Sequence, residues 1–213
     1  MKKITAVTIA IILLSFAMSI YIYPMMPAKL ASHWDINGNV NGYMSKFWGL
    51  FFTPILSIIL FAVFTAIPLI DPLKKNIAKF KKQYDTFIFI IILFIFYIHV
   101  LLLFWNFGFK FNMIQLMSPA FAILFYYMGN LISKSKRNWF IGIRTPWTLS
   151  SDYVWKKTHE LGGKLIKVAG IISLAGIFLP QYEILFIIIP IITFMLFSVI
   201  YSYIIYSKEK KRR

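Results

Sequence analysis

The side chains able to do chemistry are few. The 213 residues include three histidines, seven acidic residues and no cysteine, so disulfides, thiolate ligands and cysteine nucleophiles are excluded. His33 and Asp35 flank Trp34 and offer an acid–base pair or two metal ligands. One His and one Asp are too few for a metal site, and hydrogen-bonded loop residues beside a Trp at headgroup level explain the pattern better. Asp152 and His159 share one side of a helix but stand two turns apart, too far for a dyad, and no Ser-His-Asp set accompanies them. His159, four residues after Trp155, is a candidate proton switch near neutral pH. Arg144 carries the planar fork that binds a phosphate, a headgroup or a carboxylate; pairing with backbone carbonyls or lipid as a topology residue is the plainer alternative. His99 sits inside an apolar run, where an ionisable residue is a functional candidate by default, although a neutral imidazole bonded to a neighbouring helix accounts for it equally. No catalytic constellation emerges, so neither an enzyme nor a cofactor or metal site is expected.

The elements that must position these residues are set by composition. The chain is 60% hydrophobic and 14% charged, with a mean hydropathy of +0.74. A soluble domain carries about 45–50% apolar and about 25% charged residues, so a soluble globular enzyme is excluded. Six runs approach the roughly 20 residues that cross a bilayer as a helix: 4–23, 47–70, 86–107, 113–132, 161–179 (the weakest) and 184–206. The first is read as an uncleaved span, being longer than a signal-peptide core and lacking a small-x-small cleavage site. With the N-terminus inside, 20 Lys and Arg fall on the cytoplasmic side and 3 outside, a strong positive-inside bias. The fold class expected is therefore an all-α integral protein of the plasma membrane, with six spans and both termini cytoplasmic. Its N-terminal half is 1–85 and its C-terminal half 86–213. The formal charge of +16 follows topology and anionic headgroups; no recognition motif supports nucleic acid. Pro54, Pro119 and Pro190 lie within spans, where neighbours must satisfy the freed carbonyls.

Two loops are more than connectors. The outer loop contains Asn37-Gly38 and Asn41-Gly42, each a turn signal because both residue types tolerate positive φ; a compact hairpin-like cap is expected. The inner loop, 134–164, holds Trp139, Trp147 and Trp155, half of the six tryptophans. Thr145 precedes Pro146 and must be extended, and Gly142 allows an open turn, so 138–148 reads as ordered and irregular. Ser150 or Ser151 caps a helix with Asp152 in its first turn. Val154, Thr158, Leu161 and Leu165 form one face of it, with Lys156, Lys157, Glu160 and Lys164 opposite and Glu160–Lys164 spaced as an i,i+4 pair. This short amphipathic helix is expected in the interface, turning into the fifth span at Gly162-Gly163.

The inner loop resembles the signature of the SdpI family of membrane proteins. The matching stretch is 138–159, with the core Gly142-Ile143-Arg144-Thr145-Pro146-Trp147-Thr148 and with Trp155 seven residues beyond it. Asn138 and His159 occupy further signature positions. The outer loop is similar to the family's N-terminal half (the DUF1648 type) at Pro27, His33, Trp34, Gly38, Gly42 and Tyr43. The resemblance implies a non-enzymatic role in immunity to an extracellular toxin peptide, in membrane signal transduction by sequestering a regulator, or both. Its implied partners are the bilayer and its anionic headgroups, a toxin peptide outside and a regulator inside. Toxin contact falls to the outer loop and spans, and signalling to the inner loop. A small transporter or exporter of peptide or lipid is the competing reading. It has six spans in its favour; a missing internal repeat and the lack of acidic residues in the spans stand against it.

Overall fold

A computed structural model describes residues 2–212; Arg213, counted above in the basic tail, lies outside them. The element order is α1 (Lys2–Ile22), β1 (Lys29–Trp34), β2 (Val40–Ser45), α2 (Lys46–Ile70), α3 (Lys74–Ala78), α4 (Lys81–Asn106), α5 (Met113–Lys134), α6 (Pro146–Ser150), α7 (Asp152–Ser173) and α8 (Glu183–Lys210). Among the described residues, five helices are long and apolar enough to cross a membrane: α1, α2, α4, α5 and α8 with their immediate flanks. Their outward faces are apolar, as at Leu13, Ile59, Leu196 and Ile200.

The weakest run behaves differently from expectation. The helix expected to end at Gly162-Gly163 makes no turn there; α7 is one continuous helix. Six charged residues over 152–167, Asp152, Lys156, Lys157, Glu160, Lys164 and Lys167, keep its hydropathy low. It nevertheless runs antiparallel to α5 along its whole length, with Gly163 facing Gly129, Gly170 facing Ala122, and Gly176 just beyond α7 facing Ser118. A Cβ on Gly129 would stand 2.5 Å from the Gly163 carbonyl, and the reverse substitution is equally tight. The glycines are therefore the contact that lets two backbones touch, as small residues do between membrane helices. The buried face of α7 includes Val154 and Thr158 and then Gly162, Ile166 and Ala169, one position away from the expected Leu161 and Leu165. Lys156 and Glu160 approach at 3.9 Å in place of the expected Glu160–Lys164 pair.

The cap is a true hairpin, so the chain is not purely helical. β1 and β2 pair antiparallel around Asn37-Gly38, where Gly38 has φ +80°. Asp35 holds that turn, its Oδ1 accepting from the Asn37 and Asn39 amides at 2.9 and 2.8 Å. The second Asn-Gly is not a turn: Asn41 and Gly42 lie within β2, at an irregularity in the register. A turn there would break the pairing that buries Leu30 against Leu50, Leu102 and Leu103.

Helix α2 contains Pro54 and Pro68. A proline removes the bond to the carbonyl four residues earlier, here those of Leu50 and Phe64. Each finds a foreign donor. The Ser19 hydroxyl of α1 donates to Leu50 O at 2.7 Å, and the Tyr84 hydroxyl of α4 donates to Phe64 O at 2.7 Å. Ser19 in turn is bonded to His99 Nε2 at 3.2 Å, and Thr53 Oγ to His99 Nδ1 at 2.8 Å. With the Ser19 proton committed to Leu50, the ring donates from Nε2 and accepts at Nδ1. His99, wholly buried, thus ties α1, α2 and α4 as a neutral imidazole. Replacing it orphans Thr53 and the Ser19 oxygen. His99→Ala is expected to lower stability in detergent by about 1–3 kcal/mol, with His99→Gln recovering part of the loss; thermal unfolding of the three proteins measures this.

Candidate functional site

The loop between α5 and α7 packs at the end of the bundle that also receives the start of α1, the α2–α4 connection and the end of α8. Ser202 of α8 is 3.1 Å from Thr145 Oγ, Tyr203 meets Trp147 edge-to-face at 5.2 Å, and Ser151 donates to Glu209 at 2.6 Å. The contacts with the α2–α4 connection are equally specific. Asp71 is buried; one carboxylate oxygen accepts from the Leu73 amide at 2.6 Å, the other from the Trp139 amide at 2.9 Å. Asn76 donates to the Arg137 carbonyl at 2.9 Å.

Within the loop, the signature side chains serve the backbone. Buried Asn138 accepts from the Phe140 and Ile141 amides and donates to the Lys136 and Ile141 carbonyls, so its full amide valence is used. Gly142 then takes φ +117°, a conformation glycine reaches freely and other residues do not. Thr145 is extended, as its proline requires, and opens an unforeseen short helix, α6, through a reciprocal cap with Thr148. Pro146 fills the first helical position, where its missing N–H costs nothing. The Thr148 hydroxyl also reaches the Ile143 carbonyl at 2.8 Å. Ser151 caps α7. Arg137 bonds Asp152 at 2.8 Å and the Leu149 carbonyl at 2.9 Å.

Trp155 and His159 form the floor. Both are buried and stack with ring centroids 3.9 Å apart and planes 13° from parallel. The indole donates to the Ser135 carbonyl at 3.1 Å. His159 Nδ1–H donates to the Trp155 carbonyl at 2.8 Å, and Nε2 accepts from the Ile143 amide at 2.9 Å. Both ring nitrogens are occupied by the neutral form. Burial pushes the imidazole down from 6.5 to about 4, with the Trp155 carbonyl opposing. A proton switch near neutral pH is thereby overturned, because a second ring proton would face the Ile143 N–H. Gly142 is fixed by the same ring: a Cβ there would collide with His159 Nε2 and stand 3.2 Å from Trp155.

Arg144 is exposed and donates to the Trp139 carbonyl at 2.8 Å. The remaining candidates lie elsewhere. His33 bonds Asn41 on the neighbouring strand, and Trp34 packs edge-on against Trp105 at 5.6 Å; both belong to the hairpin end with Gly38 and Gly42. His33 and Asp35 have separate partners and do not act as a pair. Asp71 was not anticipated, its only sequence signal being a lone acid in a basic connection. Nor was Glu183, a carboxyl buried beside Ser118 and Gly176 at the very edge of the last apolar run.

Two outcomes follow from the His159 geometry. Because the folded ring resists protonation more than the unfolded one, its contribution is complete above pH 6.5 and is lost as pH falls toward 4. The loss amounts to about 3 kcal/mol at most. Wild type is expected to lose stability across that window more steeply than His159→Gln, as pH-dependent unfolding in detergent would show. Gly142→Ala, strained by φ and by the ring, is expected to cost about 1–3 kcal/mol at any pH in the same measurement.

Comparison with known proteins places this geometry. Residues 134–206 match the SdpI/YfhL protein family, and residues 10–58 match a domain of unknown function, DUF1648. The chain is 28% identical over 209 residues to Immunity protein SdpI of Bacillus subtilis (strain 168), spanning 98% of each chain. No solved structure gives a significant match. The likeness runs through both matched regions and nearly end to end, so the chain is similar to the SdpI family of membrane proteins over its whole length.

Proposed function

We propose that this chain is a non-enzymatic, multi-pass immunity protein of the plasma membrane, protecting the cell that makes it from an extracellular peptide toxin. The observation that carries the reading is the end-to-end likeness to an immunity protein. The site supports it: the His159 nitrogens, the Asn138 amide and the Thr148 hydroxyl all serve the loop backbone, and none is left for acid–base or nucleophilic work. In this reading α7 is a sixth crossing and the loop end faces the cytoplasm. The hairpin end, with exposed Tyr43, Phe47 and Trp48, meets the toxin. The loop end, ordered and basic, holds a cytoplasmic regulator.

Topology is directly testable because the chain has no cysteine. In intact cells, Asn37→Cys is expected to react with a membrane-impermeant maleimide and Ser150→Cys to react only after lysis. Labelling of both in intact cells rejects the orientation.

For function, the chain is expressed in a toxin-sensitive bacterium and survival is scored after challenge. Wild type is expected to protect, and Trp48→Ala at equal abundance to protect at least tenfold less, the order expected for one lost aromatic contact. Arg144→Ala is expected to leave protection intact. The reverse pattern moves toxin contact to the loop end; death of wild-type cells withdraws the immunity reading for that toxin.

A further inference from the structure

Beneath the loop, a groove of about 460 Å³ runs between α2 and α4 on one wall and α5 and α8 on the other. Such a volume falls in the range of small-molecule sites. Its walls are apolar, formed by Phe64, Phe87, Met128 and Phe194 among others, and its roof is loop residues 140–145. Met195 and Val199 on one lip, and Phe140 on the roof, are exposed. The mouth therefore opens sideways onto the apolar belt of α8, not into water.

Of the polar side chains on this surface, Tyr84 and Thr145 are hydrogen-bonded within the bundle, whereas Arg144 and Ser198 still look for a partner. Arg144 lines the groove at the loop end. One of its terminal nitrogens is held by the Trp139 carbonyl, which aims the guanidinium while leaving most of its five N–H donors uncommitted. Among the described residues no carboxylate pairs with it. Ser198 Oγ also lines the groove; it is buried and has no hydrogen-bond partner. A buried hydroxyl left unpaired is costly, and the groove that Ser198 lines offers space for a partner.

We infer that this groove is a binding site for one phospholipid with an anionic headgroup, its phosphate on Arg144 and an acyl chain between α2 and α8. Charge complementarity selects the headgroup: the phosphodiester offers the guanidinium the same two oxygens in either lipid, but in a zwitterionic head the neighbouring ammonium offsets its charge and repels Arg144, whereas an anionic head leaves it a net negative partner. The lateral mouth selects a ligand arriving from the bilayer. The roof selects a molecule that ends there: a partner helix would have to continue through residues 140–145. Arg144 is thereby assigned a ligand that the immunity reading does not require, and the site stands or falls without that reading.

The test is native mass spectrometry of the full chain released from detergent with phosphatidylglycerol, phosphatidylcholine or inorganic phosphate added. Wild type is expected to retain one phosphatidylglycerol with about tenfold preference over phosphatidylcholine, the scale of one charge-assisted contact. Millimolar inorganic phosphate is expected neither to bind nor to compete. Arg144→Gln, at an exposed position that leaves packing untouched, is expected to lose the preference while melting at the wild-type temperature. Ser198→Phe, filling the groove, is expected to lose the bound lipid of either class. Equal retention of the two lipids by wild type overturns the site, as does an unchanged preference in Arg144→Gln. Competition by phosphate alone reduces it to a headgroup-independent anion site and overturns it as a lipid site. A lipid-free dimer assigns the groove to a second copy instead.

Discussion

At membrane depth a backbone carbonyl cannot turn to water, and every one released from a helix must be given a donor. Helix α2 releases two, at Leu50 and Phe64, through Pro54 and Pro68. The donors come from α1 and α4, so α2 is held to its neighbours at the very points where it would otherwise be weakest. His99 belongs to this arrangement as the group that holds Ser19 and Thr53 in place. Its position inside an apolar run looks like proton chemistry until the proline five residues after Gly49 is considered; then it looks like the completion of a hydrogen-bond chain begun by Pro54.

The loop end obeys the same constraint with different residues. From Ser135 to Ser151 the backbone leaves helical geometry for most of its course, so its amides and carbonyls lack intrahelical partners. Asn138 and Thr148 supply them from within the segment, Trp155 and His159 from α7, and Asp71 and Asn76 from the α2–α4 connection. A family signature made of polar and aromatic residues invites a catalytic explanation. Here each polar atom of these side chains has a backbone partner, and Gly142 is small because the His159 ring occupies the space its side chain would need. Arg144 differs from the others: one bond orients it and the rest of its fork faces outward.

What could be read from the chain alone divides along physical lines. Hydropathy located the apolar depth well, as in 47–70 against α2 and 113–132 against α5, because burial in lipid is a local property of composition. It located helix ends poorly where a helix extends into the polar zone, so α4 begins at Lys81, five residues before its apolar run. It also misjudged α7, whose paired glycines suggested a bend where the helix runs straight through. Glycines facing Gly129 instead indicate close packing, and only the partner helix reveals that. Asn41-Gly42 carried the same turn signal as Asn37-Gly38, yet strand pairing overrode it. Asp71 was invisible for a related reason: its partner, Trp139, is 68 residues away, and nothing in a sequence marks such a pair.

The two ends of the molecule are separated by the length of a spanning helix, about 30 Å for 20 residues. An event at the hairpin therefore has no direct contact with Asn138, Arg144 or His159. Among the elements that touch both regions, α2 and α4 are the pair cross-linked by side-chain hydrogen bonds. Helix α2 begins directly at the end of β2 and leads into the connection that carries Asp71; α4 packs on β1 at Asn106, whose side chain bonds Ala31, and reaches Tyr84 beside the loop. They are joined at both levels, by His99 with Thr53 near the hairpin and by Tyr84 with Phe64 near the loop. Coupling between distant sites requires a connected element with two arrangements. A pair of helices linked by one hydrogen bond at each end, one of them interrupted by proline at both links, has rigid segments between two compliant points.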